Sequence, residues 1–228
     1  VDRTDRLESG IPGLDEMTNG GFIFPSVILV GGEPGTGKTT LALQSLFYGA
    51  SKGECCLYFT AISEPTWVVQ KFIGNFSFFS QKAIETERLI FIDIGEFISG
   101  SEEETLKVIQ RNVEKYQPKR VVIDPITAIM NSMDNDKMKY RRFMNQLITL
   151  MKTQGCVTIL TTEYSYAEVP TSVDAYMVDA LIILSTLEIE SARKKYIEVL
   201  KMRGTKHLTG RRSLILSDEG MRVQPELR

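Results

Sequence analysis

The chain has 228 residues, 43 % of them hydrophobic and 25 % charged, with a formal net charge of −2. That length suits one α/β domain, residues 1–228, with a substantial buried core. The near-neutral balance excludes a chain-wide basic footprint for nucleic acid, and no stretch approaches the roughly 20 apolar residues that cross a bilayer.

The first clear element is the apolar run Val27-Ile28-Leu29-Val30, predicted as a strand over 27–31. It leads into Gly32-Glu33-Pro34-Gly35-Thr36-Gly37-Lys38-Thr39 and then, through Thr40, into a helical pattern over 37–51. G-x-x-x-x-G-K-T between a strand and a helix is the phosphate-binding P-loop in the context it requires. A triphosphate crowds several negative charges. The loop must answer them with backbone N–H groups, and glycines let the backbone curl close enough to do so. The positive end of the following helix adds to this. Lys38 is expected to reach the β- and γ-phosphates, Thr39 to place its hydroxyl on Mg²⁺, and Thr40 to touch the α-phosphate. The motif predicts a bound nucleoside triphosphate with Mg²⁺. It does not by itself predict hydrolysis.

Further strands are predicted near 55–61, 88–94, 120–124, 156–162 and 179–185, and helices near 65–74, 102–116 and 137–154. Short strands alternating with helical patterns imply βαβ units and a mostly parallel sheet, with ligands outside the carboxyl ends of the strands. After residue 179 short β-like segments follow one another (179–185, 195–202, 211–217, 221–224), which predicts an antiparallel extension. Cys55 and Cys56 fall in one predicted strand on opposite faces and, with Cys156, read as reduced, packed thiols. Trp67, Phe72, Phe76, Phe78 and Phe79 read as core packing, or as a lid or partner surface. Arg120-Val121-Val122-Ile123-Asp124 is a buried-type strand ending in a carboxylate, the Walker B pattern. Its Asp124 is expected to hold the Mg²⁺ shell beside Thr39; the alternative is a turn or cap residue before Pro125. Thr161-Thr162-Glu163 ends the next strand. The chain begins with Val rather than Met, which reads as a missing or processed start, and no secretory signal is visible; a cytoplasmic protein is expected.

With both motifs placed, the chain resembles the RecA/RadA-like ATPases, and most closely the KaiC-like group. Ser9-Gly10-Ile11-Pro12-Gly13-Leu14-Asp15-Glu16 with Gly20-Gly21 is similar to that group's opening "GIPGLDE…GG". Val199-Leu200-Lys201-Met202-Arg203-Gly204-Thr205-Lys206-His207 is similar to its "LKxRGTxH", and Asp218-Glu219-Gly220-Met221 to its closing turn. The resemblance implies a RecA-like sheet, ATP as the nucleotide, and a homo-oligomeric ring, often a hexamer, with ATP between subunits. It also implies that Lys201 and Arg203 reach the γ-phosphate on a neighbour, that His207 approaches the neighbour's nucleotide, and that a polar residue at 161–163 senses the γ-phosphate. Read without it, Lys201 and Arg203 are solvated strand residues on one face.

The chain departs from the family at the end of its second strand. The group carries adjacent glutamates there, in a segment like "FVTFEESP", which orient or activate water. Here Tyr58-Phe59-Thr60-Ala61-Ile62-Ser63-Glu64-Pro65 puts Ile62 and Ser63 at those places. Losing a positioned base costs roughly 10²–10⁴ in rate. Glu64, one residue on, either compensates as a catalytic group or caps the next helix; Glu163 is a second candidate. Pro25 also replaces a glycine common before the first strand. Three functions follow: a slow ATPase cycling an oligomer, a nucleotide-gated scaffold that barely turns over and engages a protein partner, or a recombinase-like protein binding single-stranded DNA through Lys137, Lys139, Arg141 and Arg142 around Tyr140.

Overall fold

The computed structural model of the chain describes residues 5–61, 65–98, 100–134, 136–189 and 192–225. In chain order its first elements are β1 (Arg6–Leu7), α1 (Leu14–Met17), β2 (Phe22–Ile23), β3 (Ser26–Gly31), α2 (Lys38–Ser51), β4 (Cys56–Thr60), α3 (Thr66–Ile73), α4 (Gln81–Glu85) and β5 (Leu89–Asp93). There follow α5 (Gly95–Ile98), α6 (Glu102–Tyr116), β6 (Arg120–Asp124), α7 (Ile126–Ser132), α8 (Lys137–Thr153), β7 (Val157–Thr162) and α9 (Val173–Met177). The chain ends with β8 (Ala180–Ile189), β9 (Ala192–Met202), β10 (Arg212–Ser217) and β11 (Gly220–Gln224).

The predicted strands and long helices are present. Their ends follow local chemistry. Ser101 caps α6 by accepting from the Glu104 N–H, and three glutamates fill its positive first turn. Asp136 caps α8 through the N–H groups of Met138 and Lys139. The hairpin β8–β9 is longer than the expected 179–185 and 195–202, because its antiparallel pairing runs on to Ile189↔Ala192. The short helices α4, α5, α7 and α9 carry too few residues for a readable period. Cys55 stands just before β4 rather than in it, half-buried, while Cys56 and Cys156 are buried thiols.

Nine strands form one sheet in the order β11-β10-β9-β8-β3-β7-β6-β4-β5. From β8 to β5 every neighbouring pair is parallel, and β8 to β11 are antiparallel. This is the mostly parallel α/β sheet with a C-terminal antiparallel extension that the pattern implied. Side chains of alternating parity make two cores. Ile28, Val30, Tyr58, Val122 and Ile159 pack toward α2. Val27, Leu29, Leu57, Phe59, Val121 and Leu160 pack under α8 and α9.

The aromatics of 65–83 divide. Phe78 and Phe79 pack on Phe47 with ring centroids 5.8 and 5.4 Å apart, and Phe76 stacks on Phe78. Trp67 and Phe72 are 63 % and 69 % exposed. Tyr140 is buried among α8's core residues, and Arg142 is paired with Glu102 at 2.9 Å. The segment considered for DNA therefore offers no exposed aromatic for base stacking at Tyr140.

The opening segment and the C-terminal hairpin lock onto α2 together. Gln44 of α2 donates to the carbonyls of Gly10 and Met221 and accepts from the Met221 N–H. Gly37 sits at φ 109°, and a Cβ there would meet Met221 Cε at 2.0 Å. The positive φ is what disfavours a side chain at 37; the Met221 methyl, at the end of a flexible side chain, would also have to move.

Candidate nucleotide site

The carboxyl ends of β3, β7, β6 and β4 bring the site residues together. β3 runs directly into the P-loop, whose Gly37 precedes α2. In register, Ile28 lies beside Ile159, Ile159 beside Val122, and Val122 beside Tyr58. Residues two further along β6 and β7, Asp124 and Thr161, share that face.

A cavity of about 400 Å³ opens there, lined by Lys38, Thr39, Thr40, Tyr58, Asp124 and Glu163 on its polar side. Val69, Phe72, Ile73 and Phe76 form an apolar wall. Lys38 Nζ donates to the carbonyls of Gly32 at 2.8 Å and Glu33 at 3.2 Å, within its own loop. Burial draws its pKa below the ordinary lysine value, and the charges of Asp124 and Glu163 oppose this. Thr39 Oγ1 donates to Asp124 Oδ2 at 2.7 Å. Asp124 thus lies beside the P-loop threonine; the helix α7 begins after Pro125 with no side-chain cap. Thr36 donates to the Glu33 carbonyl and shapes the loop. Thr161 donates to Asp124 Oδ1 rather than facing the open cavity. Glu163 is exposed at the mouth.

The donor set fits the groups the motifs imply. Hydroxyl and carboxylate oxygens are hard ligands of the kind Mg²⁺ takes. A buried ammonium held only by carbonyls can exchange them for phosphate oxygens. Among the described residues no cluster of three His, Cys, Asp or Glu side chains suggests a different metal site. Ile62, Ser63 and Glu64, the residues read against the family's glutamates, lie outside the described residues.

Lys201, Arg203 and His207 are not at this cavity. β8 lies beside β3 with Ala180 opposite Ile28, and the Arg203 N–H donates to the Asp179 carbonyl. Arg203 is therefore at the amino end of the parallel strands, whereas the P-loop leaves the carboxyl end. Four residues at about 3.3 Å each separate the two levels by on the order of 13 Å. Lys201 Nζ donates to the Ala175 and Val178 carbonyls at 2.8 and 2.7 Å, closing the C-terminus of α9. Arg203 donates to the Tyr176 carbonyl at 2.9 Å and lies 3.4 Å from Asp179 Oδ1. Burial and the neighbouring Arg203 lower the Lys201 pKa, against the pull of Asp179. His207 is half-buried, and its Nδ1 has no partner among the described residues.

Lys195 was not among the motif residues. Its ammonium donates to the P-loop carbonyl of Gly35, and with Arg193 and Glu188 it lines a second cavity against Glu33 and Pro34. No motif marks it. The contact arises because β8 abuts the loop: a Cβ on Gly32 would meet the Leu184 carbonyl oxygen at 2.5 Å.

The helix α9 that holds Lys201 and Arg203 carries a buried carboxyl, Asp174, 0 % exposed. Burial pushes its pKa up to about 6; the hydroxyls of Tyr140 and Tyr164 lie close enough to offset this in part, yet neither oxygen makes a hydrogen bond of good geometry. The folded state therefore holds this proton more tightly than the unfolded chain. Stability from this group is fully present below about pH 4, falls between pH 4 and 6, and is level above. A shift of about 2 units corresponds to about 3 kcal/mol. Asp174→Asn is expected to gain about 1–2 kcal/mol at pH 8 and little at pH 4. Urea denaturation of both proteins at the two pH values measures it.

A P-loop joined to a Walker B aspartate on this strand order defines a P-loop NTPase of RecA-like fold. The family model described as "ATPase: KaiC" matches residues 7–228, and the chain belongs to the KaiC ATPase family, one of ATP-binding P-loop ATPases. It is 30 % identical over 231 residues to the circadian clock oscillator protein KaiC of Acaryochloris marina, covering 96 % of this chain and 44 % of that protein. It is 31 % identical to the UPF0273 protein MK0039 of Methanopyrus kandleri, covering 97 % of this chain and 93 % of that one. The crystal structure of the KaiC-like protein PH0186 from Pyrococcus horikoshii superposes with a TM-score of 0.86 at 28 % identity, covering 98 % of this chain and 100 % of that one. The chain thus spans less than half the length of the Acaryochloris marina relative. No helix among the described residues is long and apolar enough to cross a membrane.

Proposed function

We propose that the chain binds ATP with Mg²⁺ and hydrolyses it slowly, using the nucleotide to switch a homo-oligomer. The observation that carries the reading is the convergence of Lys38, Thr39 and Asp124 at the mouth of one cavity. Mg²⁺ would be held by Thr39 with Asp124 behind it, and would neutralise charge on the phosphates. Lys38 would leave the Gly32 and Glu33 carbonyls for phosphate oxygens. The backbone N–H groups of 32–37 and the start of α2 would cradle the rest. The apolar wall from Val69 to Phe76 suits a purine base, and Lys195 would brace the loop from β9.

Slow turnover is supported by the composition of the site. Among the described residues, the carboxylates lining the cavity are Asp124, committed to hydroxyl donors, and Glu163, exposed at the rim. Glu163 is the described candidate for ordering water; Glu64, outside the described residues, is a second candidate from the sequence. Lys201 and Arg203 support assembly. They lie too far from their own P-loop to serve it, so a neighbouring copy is the natural recipient, with His207 following on the same loop. To reach it they must let go of α9. Phosphate release on the order of 10⁻⁴–10⁻² s⁻¹ is expected, the range spanned by slow P-loop GTPases without an arginine finger and with one in cis. Release indistinguishable from a Lys38→Ala control, with ATP still bound, would instead identify the nucleotide-gated scaffold.

A further inference from the structure

Tyr58 belongs to neither nucleotide motif, yet it touches the centre of the site. It is 2 % exposed on β4, and its hydroxyl donates to Asp124 Oδ2 at 2.8 Å. The position follows from register. Tyr58 pairs with Val122 and Thr60 with Asp124, so the phenol starts one pleat below the carboxylate, on the same face, and reaches up to it. Its ring is fixed against Phe91, centroids 5.3 Å apart, so the hydroxyl loses little freedom in making the bond.

An ionised carboxylate has about four lone-pair positions. Asp124 accepts from Thr39 and Tyr58 on Oδ2 and from Thr161 on Oδ1. The three donors differ in what they can do. Thr39 is the P-loop hydroxyl that a cation would claim. Tyr58 and Thr161 come from flanking strands rather than from the P-loop. When Thr39 is drawn away, Oδ2 keeps Tyr58 and Oδ1 keeps Thr161, one strand-borne donor for each oxygen.

We propose that Tyr58 is a positioning residue for the metal half of this site: its hydroxyl holds Asp124 Oδ2 in place when Thr39 turns to the cation, and so sets how strongly Mg²⁺ and ATP reinforce each other. This rests on the nucleotide reading above.

The test is the ratio of ATP dissociation constants without and with Mg²⁺, measured by titration calorimetry on the whole chain. Tyr58→Phe, which keeps the ring, is expected to shrink this ratio about tenfold while leaving the metal-free constant unchanged. Thr161→Val, acting on the other oxygen, is expected to shrink it similarly. Val113→Ala, a cavity on the opposite face of the sheet, lowers Tm and is expected to leave the ratio alone. A wild-type ratio in Tyr58→Phe overturns the inference, as does an equal fall in Val113→Ala, which would mark a general stability effect. Wild-type protein without Mg²⁺-dependent ATP binding overturns the nucleotide reading and this inference with it.

Discussion

Lys38→Ala is expected to weaken ATP binding about a hundredfold and to abolish phosphate release. The side chain is 8 % exposed, and its ammonium already lies inside the loop on two carbonyls. Desolvation is therefore met before the nucleotide arrives, and exchange of carbonyl for phosphate oxygens turns ion–dipole contacts into ion–ion ones. Two charge-assisted hydrogen bonds at about 1.5 kcal/mol each give roughly 3 kcal/mol, or about a hundredfold. Folding is not expected to suffer much, because the substitution also removes a buried charge that only carbonyls support. Equilibrium binding of ATP with Mg²⁺, beside a thermal melt, checks both parts. Retained affinity in a folded variant would mean that the phosphates do not sit in this loop.

Arg203→Ala is expected to lower the turnover rate by about 10³, the lower range for a trans-acting arginine, while each subunit still binds ATP. The stronger test mixes two inactive variants. A Lys38→Ala subunit keeps a good Arg203, and an Arg203→Ala subunit keeps a good P-loop. In a ring formed from equal amounts, about a quarter of the head-to-tail interfaces join the two good halves. Activity is then expected to return to about a quarter of the wild-type level. If Arg203 served only its own subunit, or only closed α9, the mixture would do no better than its parts. Loss of the Tyr176 carbonyl contact alone predicts a lower Tm and no complementation.

Most of the sheet and the P-loop side of the candidate site were legible in the sequence. The P-loop announces itself because phosphate binding demands glycines, a lysine and a hydroxyl at fixed spacing between a strand and a helix. Asp124 was legible because it ends an apolar strand, and its place beside Thr39 follows once the strands are parallel. Tyr58 was within reach of the same parity argument, since it shares the face of Val122, but nothing in its neighbours marks it. Lys195 was not legible. Its contact with Gly35 depends on how far the β8–β9 hairpin runs past the loop, and alternating charges on a strand look the same whether the strand stops early or late.

The sequence by itself determined the phosphate-binding motif, the layered α/β order and the family, because these rest on local rules: loop stereochemistry, alternation along strands and spacing of apolar residues along helices. Only the tertiary structure decided which way Lys201 and Arg203 point. Strict alternation along β9 would put them with Lys195, Ile197 and Val199 on the α2 face. The pairing slips between Leu181 and Ile182, where Leu181 opposes Lys201 and Ile182 opposes Val199. That extra residue turns the end of β9 over, so Met202 faces the α2 core and Lys201 and Arg203 face α9. A bulge is set by how two strands and the helices on both faces fit together, and such non-local packing leaves no mark in the spacing of the residues it re-aims.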